Sequence, residues 1–83
     1  MPPINYNKAF GRALQYLRRE KAWSQEYLGF EAGLTRTTIS LLERGLHSPT
    51  LDTMMALTNA LDVPLPDLII AIFSHVEEGK NRT

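Results

Sequence analysis

Ser24-Gln25-Glu26-Tyr27-Leu28-Gly29-Phe30-Glu31-Ala32-Gly33-Leu34-Thr35-Arg36-Thr37-Thr38-Ile39-Ser40-Leu41-Leu42-Glu43-Arg44 is the stretch that decides the fold. It reads as two short helices hinged at a glycine. Ser24 and Thr35 stand at the two N-cap positions, where a hydroxyl oxygen accepts from a first-turn N–H that has no partner inside the helix. Leu28, Ala32, Leu34, Ile39 and Leu42 must face inward if the two helices cross steeply. Gly29 is small where a second helix comes close, and Gly33 falls where the chain must turn with positive φ, a conformation glycine adopts at no steric cost. Two helices joined by a tight glycine turn form the helix-turn-helix unit. The second carries polar side chains where such a helix would enter a DNA groove.

Outward from that unit the chain reads as helices with no strand. Phe10, Ala13, Leu14 and Leu17 recur at i, i+3, i+4 and i+7, an amphipathic stripe for a first helix over 5–21, with Arg12, Gln15, Arg19 and Glu20 elsewhere on the wheel. Ala22-Trp23 breaks it, and Trp23, a large aromatic beside an N-cap, is expected to pack inward. After the central pair, Gly45-Leu46-His47-Ser48-Pro49 is a loop by its Gly and Pro content. Thr50 then caps a fourth helix in which Leu51, Met54, Met55, Leu57, Thr58 and Leu61 have helical spacing. Asp62-Val63-Pro64-Leu65 turns the chain, and Pro66 suits the first turn of a fifth helix over 66–78. One domain over 1–79 is expected, with 80–83 as a frayed tail.

With 83 residues and no cysteine, one small core forms without disulfides or a thiolate metal site. The opening Met1-Pro2-Pro3-Ile4 lacks a basic region followed by an apolar one, and the longest apolar run is Leu68 to Phe73, far short of a membrane span. A cytoplasmic protein, nucleoid-associated in a bacterium or phage, is therefore expected, with no membrane partner. The net charge of zero argues at first against nucleic acid, but its distribution is uneven. Residues 1–50 carry seven Lys/Arg against four acids, and residues 51–83 carry two against five. One face can therefore meet phosphate while the other stays away from it.

The segments Leu17-Arg18-Arg19, Trp23-Ser24-Gln25-Glu26-Tyr27-Leu28, Ala32-Gly33-Leu34-Thr35, Ile39-Ser40-Leu41-Leu42-Glu43-Arg44-Gly45, Ser48-Pro49-Thr50-Leu51 and Leu57-Thr58-Asn59-Ala60-Leu61-Asp62-Val63 follow one another over most of the chain. In that order and spacing, Phe10 to Leu68 resembles the phage-repressor/Cro-like helix-turn-helix family, the XRE family. Two positions depart from its pattern: Gly29 where alanine is usual, and Ala22 where a glycine often ends the first helix. The resemblance implies an all-α, five-helix, lambda-repressor-like domain whose third helix lies in the major groove of an operator. Carried over by position, it implies base contacts from Arg36, Thr37, Ser40 and Leu41. An arginine such as Arg36 can donate bidentately to guanine, and Leu41 can press on a thymine methyl. Phosphate contacts would come from Gln25, Thr38, Arg44, His47 and Ser48, which position the protein without reading sequence. Arg18 and Glu43 match the places of an internal ion pair between the first and third helices.

Each contact has a plainer alternative. Arg36 can be a solvated arginine, although a cation at a helix start opposes the dipole. Thr37 and Thr38 can serve the local backbone, and Arg44 can be a dipole partner at a C-terminus. His47 and His75 sit in different elements with no cysteine and no paired-carboxylate spacing, so no metal site is expected, and His75-Val76-Glu77-Glu78 reads as a solvated helix end. No phosphate loop or nucleophile motif appears, so neither an enzyme nor a cofactor or small-molecule ligand is expected. The competing function is a protein-interaction module of the same fold, antitoxin or coactivator-like, without specific DNA. On the fifth helix, Leu65, Ile69, Ile72 and Val76 fall with Leu68 inside an arc of about 100°, with Phe73 beyond it and Ile70 farther round. The resulting expectation is a homodimer whose interface draws on Ile69, Ile70, Phe73 and Val76, unless Ile4 and Tyr6 extend the core over that surface.

Overall fold

The computed structural model describes the backbone of residues 4–80 and the side chains of residues 4–76. The described residues form five α-helices: α1 (Tyr6–Glu20), α2 (Gln25–Ala32), α3 (Arg36–Glu43), α4 (Leu51–Leu61) and α5 (Leu65–Lys80). Of the expected tail at 80–83, Lys80 is the last residue of α5, and 81–83 lie outside the described residues. Hydroxyl or amide oxygens cap the first four helices: Asn5, Ser24, Thr35 and Thr50 accept from the N–H groups of Lys8, Tyr27, Thr38 and Thr53. The fifth begins one residue earlier than expected, at Leu65, with Pro66 in its first turn. The Pro64 carbonyl accepts from the N–H groups of Asp67 and Leu68.

Helices α1 to α4 end in the same way. At the end of α2, the Leu34 N–H donates to the Gly29 carbonyl at 2.8 Å and the Gly33 N–H to that of Phe30 at 3.4 Å, with Gly33 left-handed at φ 72°. This six-to-one plus five-to-two pattern is the Schellman motif. It recurs around Ala22, Gly45 and Asp62, at φ 59°, 73° and 56°. Aspartate tolerates that region through local hydrogen bonding, whereas alanine gains nothing from it, at a cost of about 1–2 kcal/mol for an L-residue. Ala22→Gly is therefore expected to stabilise the domain. The strain removed exceeds the roughly 0.4–1 kcal/mol lost to a looser unfolded chain, so the thermal midpoint should rise by a few degrees. A lower midpoint would remove this account of Ala22.

The core gathers Ala9, Phe10, Ala13 and Leu14 of α1, Leu28 of α2, Ile39 and Leu42 of α3, Leu57 and Leu61 of α4, and Leu68, Ile72 and Val76 of α5. Leu17, Ala32 and Leu34 pack at its margin, as does Trp23, which is half-buried with its ring edge-on to Tyr27 at 4.8 Å. On α4, Leu51 and Met55 are exposed although their spacing is helical, because the buried face is narrowed to Leu57, Thr58 and Leu61. On α5 the buried face is rotated from the expected arc. It includes half-buried Ala71 and His75, the latter edge-on to Tyr16 of α1, and this leaves Ile69 exposed. The expected solvated end at His75-Val76-Glu77-Glu78 is corrected at its first two positions, since the rotation half-buries His75 and Val76 is buried, while the side chains of Glu77 and Glu78 lie outside the described residues. Among the described residues no single helix is long and apolar enough to cross a membrane.

Helices α2 and α3 meet through the turn at Gly33. A Cβ on Gly29 would stand 2.6 Å from the Leu34 carbonyl oxygen, so the missing side chain is what lets the turn fold back on α2. A closer approach joins α1 to α3. A Cβ on Gly11 would stand 2.6 Å from the Leu42 carbonyl oxygen and 2.8 Å from the Glu43 carbonyl carbon. The backbone end of α3 is thereby pressed onto α1.

Candidate nucleic-acid interface

Three helices are held in register by one buried ion pair. The Arg18 Nε donates to Glu43 Oε2 at 2.6 Å and Nη2 to Oε1 at 2.9 Å, a two-point geometry. Arg18 Nη1 also donates to the Trp23 carbonyl at 2.8 Å. The Glu43 side chain is only 1% exposed. Its hydrogen bond to Arg18 raises the arginine pKa further above an already high value, against the opposing effect of burial. A third donor is Gln25, whose Nε2 lies 3.0 Å from Glu43 Oε1. Arginine from α1, glutamine from α2 and glutamate from α3 thus fix the angle at which α3 is presented.

That angle turns Ile39, Leu42 and Glu43 inward. Arg36 and Thr37 are then exposed in the first turn, with half-buried Ser40 and Leu41 one turn on. These four share one side by their i, i+3 and i+4 spacing. The first turn of α3 holds no acid, so the Arg36 cation at its start is opposed to the helix dipole with no nearby neutralising side chain of that turn. An anion brought to this end would relieve both.

The flanking positions are more constrained than the sequence reading expects. The Gln25 amide is turned toward Glu43, which leaves its carbonyl oxygen and one N–H for any outside partner. The Thr38 hydroxyl lies 2.9 Å from that of Thr35, and the Thr38 N–H donates to the same Thr35 oxygen at 3.1 Å. Thr38 is therefore part of the cap. Arg44 is exposed at the C-cap of α3, with His47 and Ser48 exposed in the loop beyond it. Ser48 Oγ accepts from Asn7 Nδ2 of α1 at 2.7 Å, a contact across 41 residues that no local pattern announces. Among the described residues no three His, Cys, Asp or Glu side chains are grouped to hold a metal ion.

A family model for helix-turn-helix domains matches residues 14–68. The chain belongs to the helix-turn-helix family. Within it the chain is of the phage-repressor/Cro-like, XRE type, a class of DNA-binding transcription regulators rather than of enzymes. It is 39% identical over 66 residues to the control protein C.BamHI of Bacillus amyloliquefaciens, covering 78% of this chain and 82% of that one. Among solved structures, the restriction-modification controller protein C.AhdI from Aeromonas hydrophila superposes with a TM-score of 0.73 at 37% identity, over 75% of this chain and 94% of that one. The controller C.Esp1396I, solved as a tetramer with its natural 35 base-pair operator, shares the fold with a TM-score of 0.79 at 22% identity, over 86% and 93%. For this helix-turn-helix protein, the all-α five-helix architecture follows directly from those likenesses and from its own helices.

Proposed function

We propose that this helix-turn-helix protein is a sequence-specific repressor of transcription that binds a near-palindromic operator as a homodimer, with α3 in the major groove. The observation that carries the reading is the outer side of α3. Arg36 and Thr37 stand exposed at the N-terminal turn, the end of a recognition helix that reaches base edges, above a backbone clamped by Arg18 and Glu43. Arg36 reads a base, and Thr37, Ser40 and Leu41 complete the base-facing side. Gln25, Thr38, Arg44, His47 and Ser48 supply the phosphate side. The similarity to control proteins of restriction-modification systems supports the narrower reading of a controller of such an operon. A place in the cytoplasm, with access to nucleoid DNA, goes with it.

Genomic fragments retained by the purified protein are expected to share a near-palindrome. Against that site, Arg36→Ala should cost about 1–3 kcal/mol and relax preference at one base pair. Gln25→Ala should instead weaken cognate and scrambled duplexes alike. Both are read by titration at one fixed salt concentration, because the electrostatic part of the affinity varies steeply with salt. Equal losses on the two duplexes for Arg36→Ala would take Arg36 out of the base-reading set.

A further inference from the structure

We propose that the DNA-facing surface continues from the loop after α3 onto the N-terminal edge of α1, where Lys8 contacts a backbone phosphate. The inference rests on the reading of α3 as the groove-entering helix. Two independent contacts lock this edge of α1 to the loop. Asn7 donates to Ser48 at 2.7 Å. The Lys8 stem lies across Gly45, so closely that a Cβ there would stand 2.7 Å from Lys8 Cγ and 2.9 Å from Lys8 Cα. Gly45 directly follows the exposed Arg44, so the backbone on which the exposed Lys8 packs is next in the chain to that arginine. Arg12 lies one turn along α1 from Lys8 and is also exposed. Among the described residues, none of these three Lys/Arg side chains has a carboxylate partner; the ion pair present is Arg18 with Glu43.

Continuity and charge complementarity both identify the occupant. A duplex with α3 in its groove carries a phosphate backbone past the loop that follows α3, and this edge of α1 is joined to that loop by the contacts of Asn7 with Ser48 and of Lys8 with Gly45. The packed stem also matters. A lysine whose Cγ is already held on Gly45 has fewer rotamers to lose on binding than a free surface lysine. Nothing in the sequence marks Lys8 for this role, because the partner glycine is 37 positions away.

The test is the salt dependence of binding to a random-sequence duplex, measured on the full chain. Each phosphate neutralised contributes about 0.9 to the slope of log K against log salt concentration. Lys8→Gln, which keeps the stem over Gly45 and removes the charge, is expected to lower the slope by about 0.9 with an unchanged melting curve. Lys8→Arg should restore the wild-type slope. An unchanged slope for Lys8→Gln, while Arg44→Gln lowers it, places Lys8 off the DNA and overturns this inference with the α3 reading intact. A wild-type slope near zero removes the DNA-facing surface itself, and both fail together.

Discussion

Glu43→Ala is expected to lower the thermal midpoint by roughly 12–40 °C, the shift that a loss of about 3–5 kcal/mol produces in a domain of this size. The loss is large because the truncation strands a cation. Arg18 sits 8% exposed with its Nε and Nη2 aimed at the missing carboxylate, and the Gln25 amide loses the same acceptor. Against a total stability of about 5–15 kcal/mol, that removes about a fifth or more of what holds a typical domain folded. Glu26→Ala is the control, an exposed first-turn acid whose removal loses only a dipole interaction of about 0.3–1 kcal/mol. Arg18→Met combined with Glu43→Leu should melt well above either single variant, because the desolvation of two charges disappears with them. Superimposable melts for Glu43→Ala and Glu26→Ala would mean that the pair contributes nothing to stability.

The ion pair also illustrates how far the sequence could be read. Caps, glycine turns and heptad-like spacing are local, and they place the first four helices to within a residue or so of Asn5, Ser24, Thr35 and Thr50. Which side of each helix is buried is settled by its neighbours. Leu51 and Met55 fit the periodicity of α4 and are exposed all the same. Ile69 lies within the apolar arc of α5 and is left outside, since α1 packs from the His75 side. The candidate interface divides in the same way. The exposure of Arg36 and Thr37 follows from the spacing of Ile39 and Leu42. By contrast, the engagement of Gln25 with Glu43, of Thr38 with Thr35 and of Ser48 with Asn7 belongs to side chains meeting in space. Gly11 has no turn to signal it, and its need for a bare backbone comes only from the approach of α3.

The surface left over by that rotation of α5 leads to the second large effect. Phe73→Glu is expected to give a folded monomer whose operator affinity is lower by about 10²–10⁴, the factor that joining two half-site contacts supplies. Ile69, Ile70 and Phe73 lie together on the outer side of α5, at 39%, 68% and 53% exposure. Val76, assigned to the same interface from sequence, is 8% exposed and belongs to the core of its own protomer. The N-terminal segment does not extend the core over this side. Tyr6 meets Phe73 edge-on with ring centroids 6.3 Å apart, yet both rings stay half in water and Ile4 is 45% exposed. Tyr6 therefore enlarges the apolar patch, the kind of surface expected of an interface. An isologous two-fold contact there buries the same side chains twice. It would hold the two α3 helices about 34 Å apart, one turn of DNA, with half-sites about 10 bp apart. In such a dimer Phe73→Glu would bury a carboxylate from each protomer in an apolar setting, while the core residues Leu68, Ile72 and Val76 are untouched. Contacts within one half-site, and with them binding to a duplex carrying a single half-site, should change little. Sedimentation of both proteins at micromolar concentration decides the matter: a monomeric wild type, or a Phe73→Glu variant that stays dimeric, removes the interface from this side of α5.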